Sequence, residues 1–74
     1  MIETFAIRFM EYQRYDINRD CQVKRYMAMT NIGTWHTDVP VESAAKMRER
    51  REGFKTYVLG AIQAGLEPSE VTFG

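Results

Sequence analysis

Phe5, Ile7 and Phe9 alternate with Thr4, Ala6, Arg8 and Met10. That period of two marks a half-buried strand and predicts one over Ile2 to Tyr12. Tyr15-Asp16-Ile17-Asn18-Arg19-Asp20 follows. Asp and Asn tolerate left-handed backbone and bond their own turns, so this run reads as a hairpin loop. Cys21 to Thr30 is the return strand, with Val23, Arg25, Met27 and Met29 on one face and Lys24, Tyr26, Ala28 and Thr30 on the other. Asn31-Ile32-Gly33 is a second turn signal. Thr34-Trp35-His36-Thr37 then reads as a third short strand, the alternative being one long strand bulged at Gly33.

From Ser43 to Ala64 the period changes to that of a helix. Ala44, Met47, Phe54, Val58, Ala61 and Ile62 fall on one stripe, and position 51 of the same stripe is Arg. Two N-caps compete: Asp38 or Val39 with Pro40 in the first turn, or Ser43. Gly65-Leu66 reads as a C-cap with its following apolar contact, and Pro68 prevents continuation. Gly53 and Gly60 inside the helix suggest close backbone approach, against the sheet. Val71 and Phe73 alternate, as a short fourth strand or a packed tail.

The order strand, strand, strand, long helix, tail predicts a two-layer α+β domain over residues 1–74: a two- or three-stranded antiparallel sheet with one helix on one face. The expected core is Phe5, Ile7, Phe9, Val23, Met27, Trp35, Phe54, Val58 and Ile62, with Met29 and Met47 as further filler. Arg51, if buried, needs an acidic partner such as Glu11 or Asp38, or a second chain.

Composition narrows the function. A chain of 74 residues buries only about 60% of its unfolded surface. Cys21 is the one cysteine, so no intrachain disulfide or cysteine-rich metal site can reinforce it. Ten basic and ten acidic residues cancel, whereas nucleic-acid binders usually carry a basic excess. The first residues lack a basic segment followed by a continuous apolar run, so they do not read as a signal peptide, and no apolar run approaches the ~18 residues of a membrane span. A cytoplasmic protein is expected, its unpaired thiol fitting a reducing compartment.

Catalytic chemistry has little to draw on. Cys21 and His36, with Asp38 to orient the base, are the one nucleophile–base set, and a dyad needs the side chains in hydrogen-bond reach. His36, Asp38 and Glu42 lack the spacing of a zinc or calcium site. The glycines at 53, 60 and 65 follow the helix start rather than open it, unlike a phosphate loop. The reading is a non-enzyme without catalytic residues, metal or cofactor.

Two surfaces stand out. Lys46, Arg48, Arg50 and Arg51 crowd the N-terminal half of the helix, where the dipole disfavours cations, which points to a role in binding. On the outward sheet face, strand parity places Arg8, Met10, Tyr12, Lys24, Tyr26 and His36, the composition of a protein interface. The partner-binding residues are therefore expected to be Lys46, Arg48, Arg50, Arg51, Arg8, Tyr12, Lys24 and Tyr26. The expected function is non-enzymatic: an inhibitor or regulator that occludes a surface of a larger protein. In size and composition the chain is similar to small phage and mobile-element inhibitors of host enzymes or defence systems. The alternative is a nucleic-acid-binding domain. In element order the chain resembles the small DNA-binding domains of some integrases, which implies DNA reading by the sheet face. A homodimer is also expected, through the heptad-spaced positions 44, 47, 51, 54, 58, 61 and 65 or through edge-to-edge strand pairing.

Overall fold

The computed structural model describes residues 6–72. It is an α+β domain of three strands and one helix: β1 (Arg8–Asp16), β2 (Cys21–Thr30), β3 (Gly33–Pro40) and α1 (Ala44–Ala64). The strands form an antiparallel meander in the order β1-β2-β3. Thr34 to Thr37 thus belongs to a separate third strand, and no bulge joins it to β2. The predicted positions Ile2 to Phe5 and Phe73 lie outside the described residues. β1 runs four residues beyond the expected end at Tyr12.

Each turn has a local cause. Between β1 and β2, the Asp16 carboxylate accepts the backbone N–H groups of Asn18 (2.9 Å) and Arg19 (3.4 Å), and Asp20 takes the left-handed conformation (φ 54°) that Asp tolerates. Between β2 and β3, Thr30 Oγ1 donates to the Gly33 carbonyl and accepts from Ile32 N–H. Gly33 has φ 139°, and a Cβ there would lie 2.9 Å from Pro68 Cγ, so only glycine lets the tail cross the start of β3.

Ser43 is the helix N-cap, its hydroxyl accepting Lys46 N–H. Asp38, Val39 and Pro40 remain in β3. At the other end Gly65 is left-handed, and Gly65 N–H and Leu66 N–H reach the Ile62 and Ala61 carbonyls, the paired bonds of a Schellman cap. The tail then docks on the outer edge of β3. Val71 N–H donates to the His36 carbonyl (2.8 Å), and the buried Thr37 hydroxyl donates to the Val71 carbonyl (2.6 Å). This is one parallel bridge, His36 with Glu70, rather than a fourth strand.

The helix lies over β2 and β3. The core joins Tyr26 and Ala28 of β2, Trp35 and Val39 of β3, Phe54, Val58 and Ala61 of α1, and Val71 of the tail, with Ile7, Met47 and Ile62 packed at its margin. Tyr26 and Phe54 stack with ring centroids 6.3 Å apart. The heptad-spaced seam on the helix is therefore largely consumed within the chain. Three expectations change. Phe9 is on the helix face but 38% exposed, because α1 does not extend over β1. Val23 is fully buried on the opposite face, outside the cluster. Met27 and Met29 also occupy that opposite face, and Met29 is 40% exposed.

Gly60 has nothing within 4 Å of a Cβ placed on it, so it does not mark an approach to the sheet. Glycine inside a helix costs about 1 kcal/mol relative to Ala. Gly60→Ala should raise stability by roughly that amount, read as a higher denaturant midpoint at unchanged slope. An unchanged or lower midpoint would contradict the open surroundings of this site.

Candidate functional site

Strand pairing arranges the face turned away from the helix in rows. Arg8, Met29 and Thr34 form the first, and Met10, Met27 and His36 the second. Tyr12, Arg25 and Asp38 form the third, Arg14, Val23 and Pro40 the fourth. No described helix packs on this face, but its hairpin end is closed: Val23 is fully buried there, and Arg19 of the β1–β2 turn donates to the Asp38 carbonyl (3.4 Å). Met10 (43%), Tyr12 (44%) and Met29 (40%) are exposed on it.

The other end of the face is ionic. Arg25 donates from Nε to Asp38 Oδ1 (2.8 Å) and from Nη2 to Oδ2 (2.7 Å), the bidentate geometry that makes Arg–carboxylate pairs strong. Arg14 Nη2 reaches the same Oδ2 at 3.2 Å. One carboxylate thus ties β1, β2 and β3 together. The Arg25 hydrogen bonds hold Asp38 down to about 2 against partial burial, with Arg14 adding to the effect, and the same pairing raises Arg25. Arg14 and Arg25 share this one carboxylate, which offsets one of their two charges.

The sequence-derived site residues divide. Arg8 and Tyr12 lie on the outer face as expected. Lys24 and Tyr26 do not: β2 is turned so that both face the helix, with Lys24 opposite Val39 and Tyr26 opposite Thr37. Tyr26 is only 3% exposed and donates its hydroxyl to the Met47 carbonyl (3.0 Å). Burial pushes its phenol pKa up, Glu11 adding and Arg51 opposing. Met27, Met29 and Arg25 take the outward places instead.

The helix cations do not form one patch. Arg48 and Arg51 border Glu11, Lys24 and Tyr26 on the β1 side, whereas Arg50 lies on the opposite flank with Val39, Glu70 and Val71. Lys46 is exposed. Arg51 is half-buried, and its ion pair is with Glu52 (Nε–Oε2 3.4 Å) without hydrogen-bond geometry. Asp38, on the far face, is not its partner. Arg51, Phe9, Glu11, Tyr26, Phe54 and Lys55 line a cleft of about 190 Å³ between α1 and β1, with Lys55 Nζ 5.4 Å from the Phe9 ring centre.

Cys21 and His36 share the outer face, but Cys21 pairs with Asp16 and His36 with Met27. Six residues of strand separate them, about 20 Å at strand rise, so the geometry does not make them a dyad. His36 Nε2 lies 3.8 Å from Glu70. Among the described residues no three His, Cys, Asp or Glu side chains gather in metal-binding proximity, and no helix is long and apolar enough to cross a membrane. The chain matches no family model, no curated protein and no solved structure.

The ion cluster sets an acid limit on stability. Asp38 lies near 2 when folded against an ordinary 3.8, so its contribution, roughly 2 kcal/mol, is complete above the unfolded value and lost as pH falls from about 4 to 2. Asp38→Asn should lower stability at pH 7 and flatten the acid limb of the stability–pH curve. An unchanged acid limb would contradict the cluster.

Proposed function

We propose that this chain is a non-enzymatic protein-binding module that covers a surface of a larger protein with the methionine-rich half of its outer sheet face, acting as an inhibitor or regulator. The observation that carries the reading is the first two rows of that face with Tyr12. Met10, Met27 and Met29 lie together without a covering layer, bordered by Arg8, Tyr12 and His36. Methionine adapts to irregular partner surfaces, and Tyr, Met and Arg are enriched where proteins meet. The arginines deeper on the face favour a protein over a nucleic acid as the partner. Asp38 offsets one of the two charges of Arg14 and Arg25 and holds both guanidiniums in internal pairs, whereas phosphate contacts need cations available to displace counterions.

Met29→Asp places a charge on the central strand in the first exposed row, away from both the core and the outer edge of β1. A protein captured by the wild-type chain from its native cell should bind the variant at least about tenfold more weakly, the scale of losing a central interface contact. The helix variant Arg48→Glu should leave that binding intact. Loss with Arg48→Glu but not Met29→Asp would move the site to the helix. DNA or RNA binding that falls steeply between about 50 and 200 mM salt would replace the protein reading altogether.

A further inference from the structure

Among the described residues, no strand pairs with the outer edge of β1. Its pairing with β2 runs unbroken from Arg8↔Met29 to Asp16↔Cys21. All of Arg8 to Tyr15 is exposed except Arg14, which is half-buried. Of the devices that normally blunt an edge, the segment RFMEYQRYD lacks proline, lysine and a bulge, and its charges, Arg8, Glu11, Arg14 and Asp16, are of both signs. Alternate residues of β1 therefore present their backbone donors and acceptors along this outer edge, the others being turned toward β2.

We propose that the occupant of this edge is the β1 strand of a second copy of the chain, paired antiparallel about a two-fold axis at Tyr12. A two-fold axis that pairs identical edges must stand perpendicular to the sheet, which keeps both helices on one side. Outer-face residues then meet outer-face residues. With Tyr12 on the axis, all nine positions pair. Arg8 meets Asp16 twice, once at each end. Met10 meets Arg14, Phe9 meets Tyr15 and Glu11 meets Gln13. Every charge faces an opposite charge or a neutral residue, and two aromatic pairs form on the helix side, where Phe9 and Tyr15 are 38% and 51% exposed. Opposite charges and aromatic pairs directly across strands are stabilising, like charges destabilising.

The neighbouring registers lack this match. With Glu11 on the axis, Glu11 faces itself and Arg8 faces Arg14. With Gln13 on the axis, Arg8 has no partner and fewer residues pair. Asp16 can take part without leaving its turn. Its Oδ1 accepts the two turn amides, while Oδ2 has one longer contact, 3.6 Å from Arg19 Nε, and accepts a further donor. The product is a six-stranded sheet with two helices on one side. Its two outer faces merge into one continuous surface, so the dimer presents the proposed protein-binding rows twice. The dimer stands on the edge alone and does not depend on that binding role.

Cysteine trapping tests the register. Residues directly opposite in an antiparallel pair have Cα atoms about 4.5–5.5 Å apart, inside the range a disulfide spans. In a Cys21→Ser background, Tyr12→Cys should form a disulfide-linked dimer with copper–phenanthroline. Met10→Cys, about 14 Å from its own copy in this register, should remain monomeric. In sedimentation of the otherwise unchanged chain, Arg8→Glu should weaken the dimer by about tenfold, because it sets two carboxylates against each other at both ends. Met10→Glu, facing Arg14, should tighten it. A chain that stays monomeric to several hundred micromolar overturns the proposal, as does a dimer indifferent to Arg8→Glu. Equal trapping of the two cysteine variants overturns the register.

Discussion

One helix, about 10 Å across with its side chains, has three strands to cover, and it reaches two of them. Phe54, Val58 and Ala61 meet Tyr26 and Ala28 of β2 and Trp35 and Val39 of β3. β1 adds no residue to that buried cluster. Ile7, just before β1, packs only at the margin, and Phe9 is left under the ammonium of Lys55 rather than in the core. Among the described residues there is no second helix to finish the layer, and the tail is used on the opposite edge, where Val71 and Thr37 close β3.

Much of the remaining structure answers this unequal coverage. β1 cannot be held by apolar burial, so it is held by nine backbone pairs and by the Arg14–Asp38–Arg25 cluster on the far side of the sheet. That cluster crosses all three strands with one carboxylate that is largely removed from solvent. It also offsets one of the two charges that Arg14 and Arg25 would otherwise offer to phosphate. The exposed methionines and Tyr12 beyond it are the part of the face with no internal partner.

The sequence made most of the helix legible: the stripe through Phe54, Val58 and Ala61 and the Gly65-Leu66 stop are local events set by side chains within one turn of each other, whereas the N-cap stayed open between Ser43 and Asp38 or Val39 until the structure gave Ser43. The limits of β2 and its turns were legible for the same reason. The facing of β2 was not. Val23, Arg25, Met27 and Met29 look more apolar than Lys24, Tyr26, Ala28 and Thr30, so hydropathy assigns the first set inward. The helix selects the second set, because the Tyr26 ring stacks on Phe54 while its hydroxyl reaches the Met47 carbonyl, and because Ala28 leaves room for Trp35 beside it. The two Tyr26 contacts join residues 21 and 28 positions apart, and the Ala28–Trp35 pair spans two strands, all beyond what a local period can express. The same inversion moved Lys24 and Tyr26 off the candidate site and brought Met27, Met29 and Arg25 onto it. The cluster around Asp38 had a sequence signal that went unread: once a three-stranded meander is accepted, Arg25 and Asp38 fall opposite each other on one face.

An open outer edge of β1 beside a covered β2 is the claim on which the proposed dimer rests, and amide hydrogen exchange of the dilute chain tests it directly. Along Arg8 to Asp16 only alternate amides, those turned toward β2, should be protected, while the intervening amides exchange close to the rate of an unfolded chain and those of Tyr26, Ala28, Trp35 and Val58 exchange slowest. Uniform strong protection along β1 in the dilute monomer would contradict the account, because it would mean that another part of the chain already covers that edge.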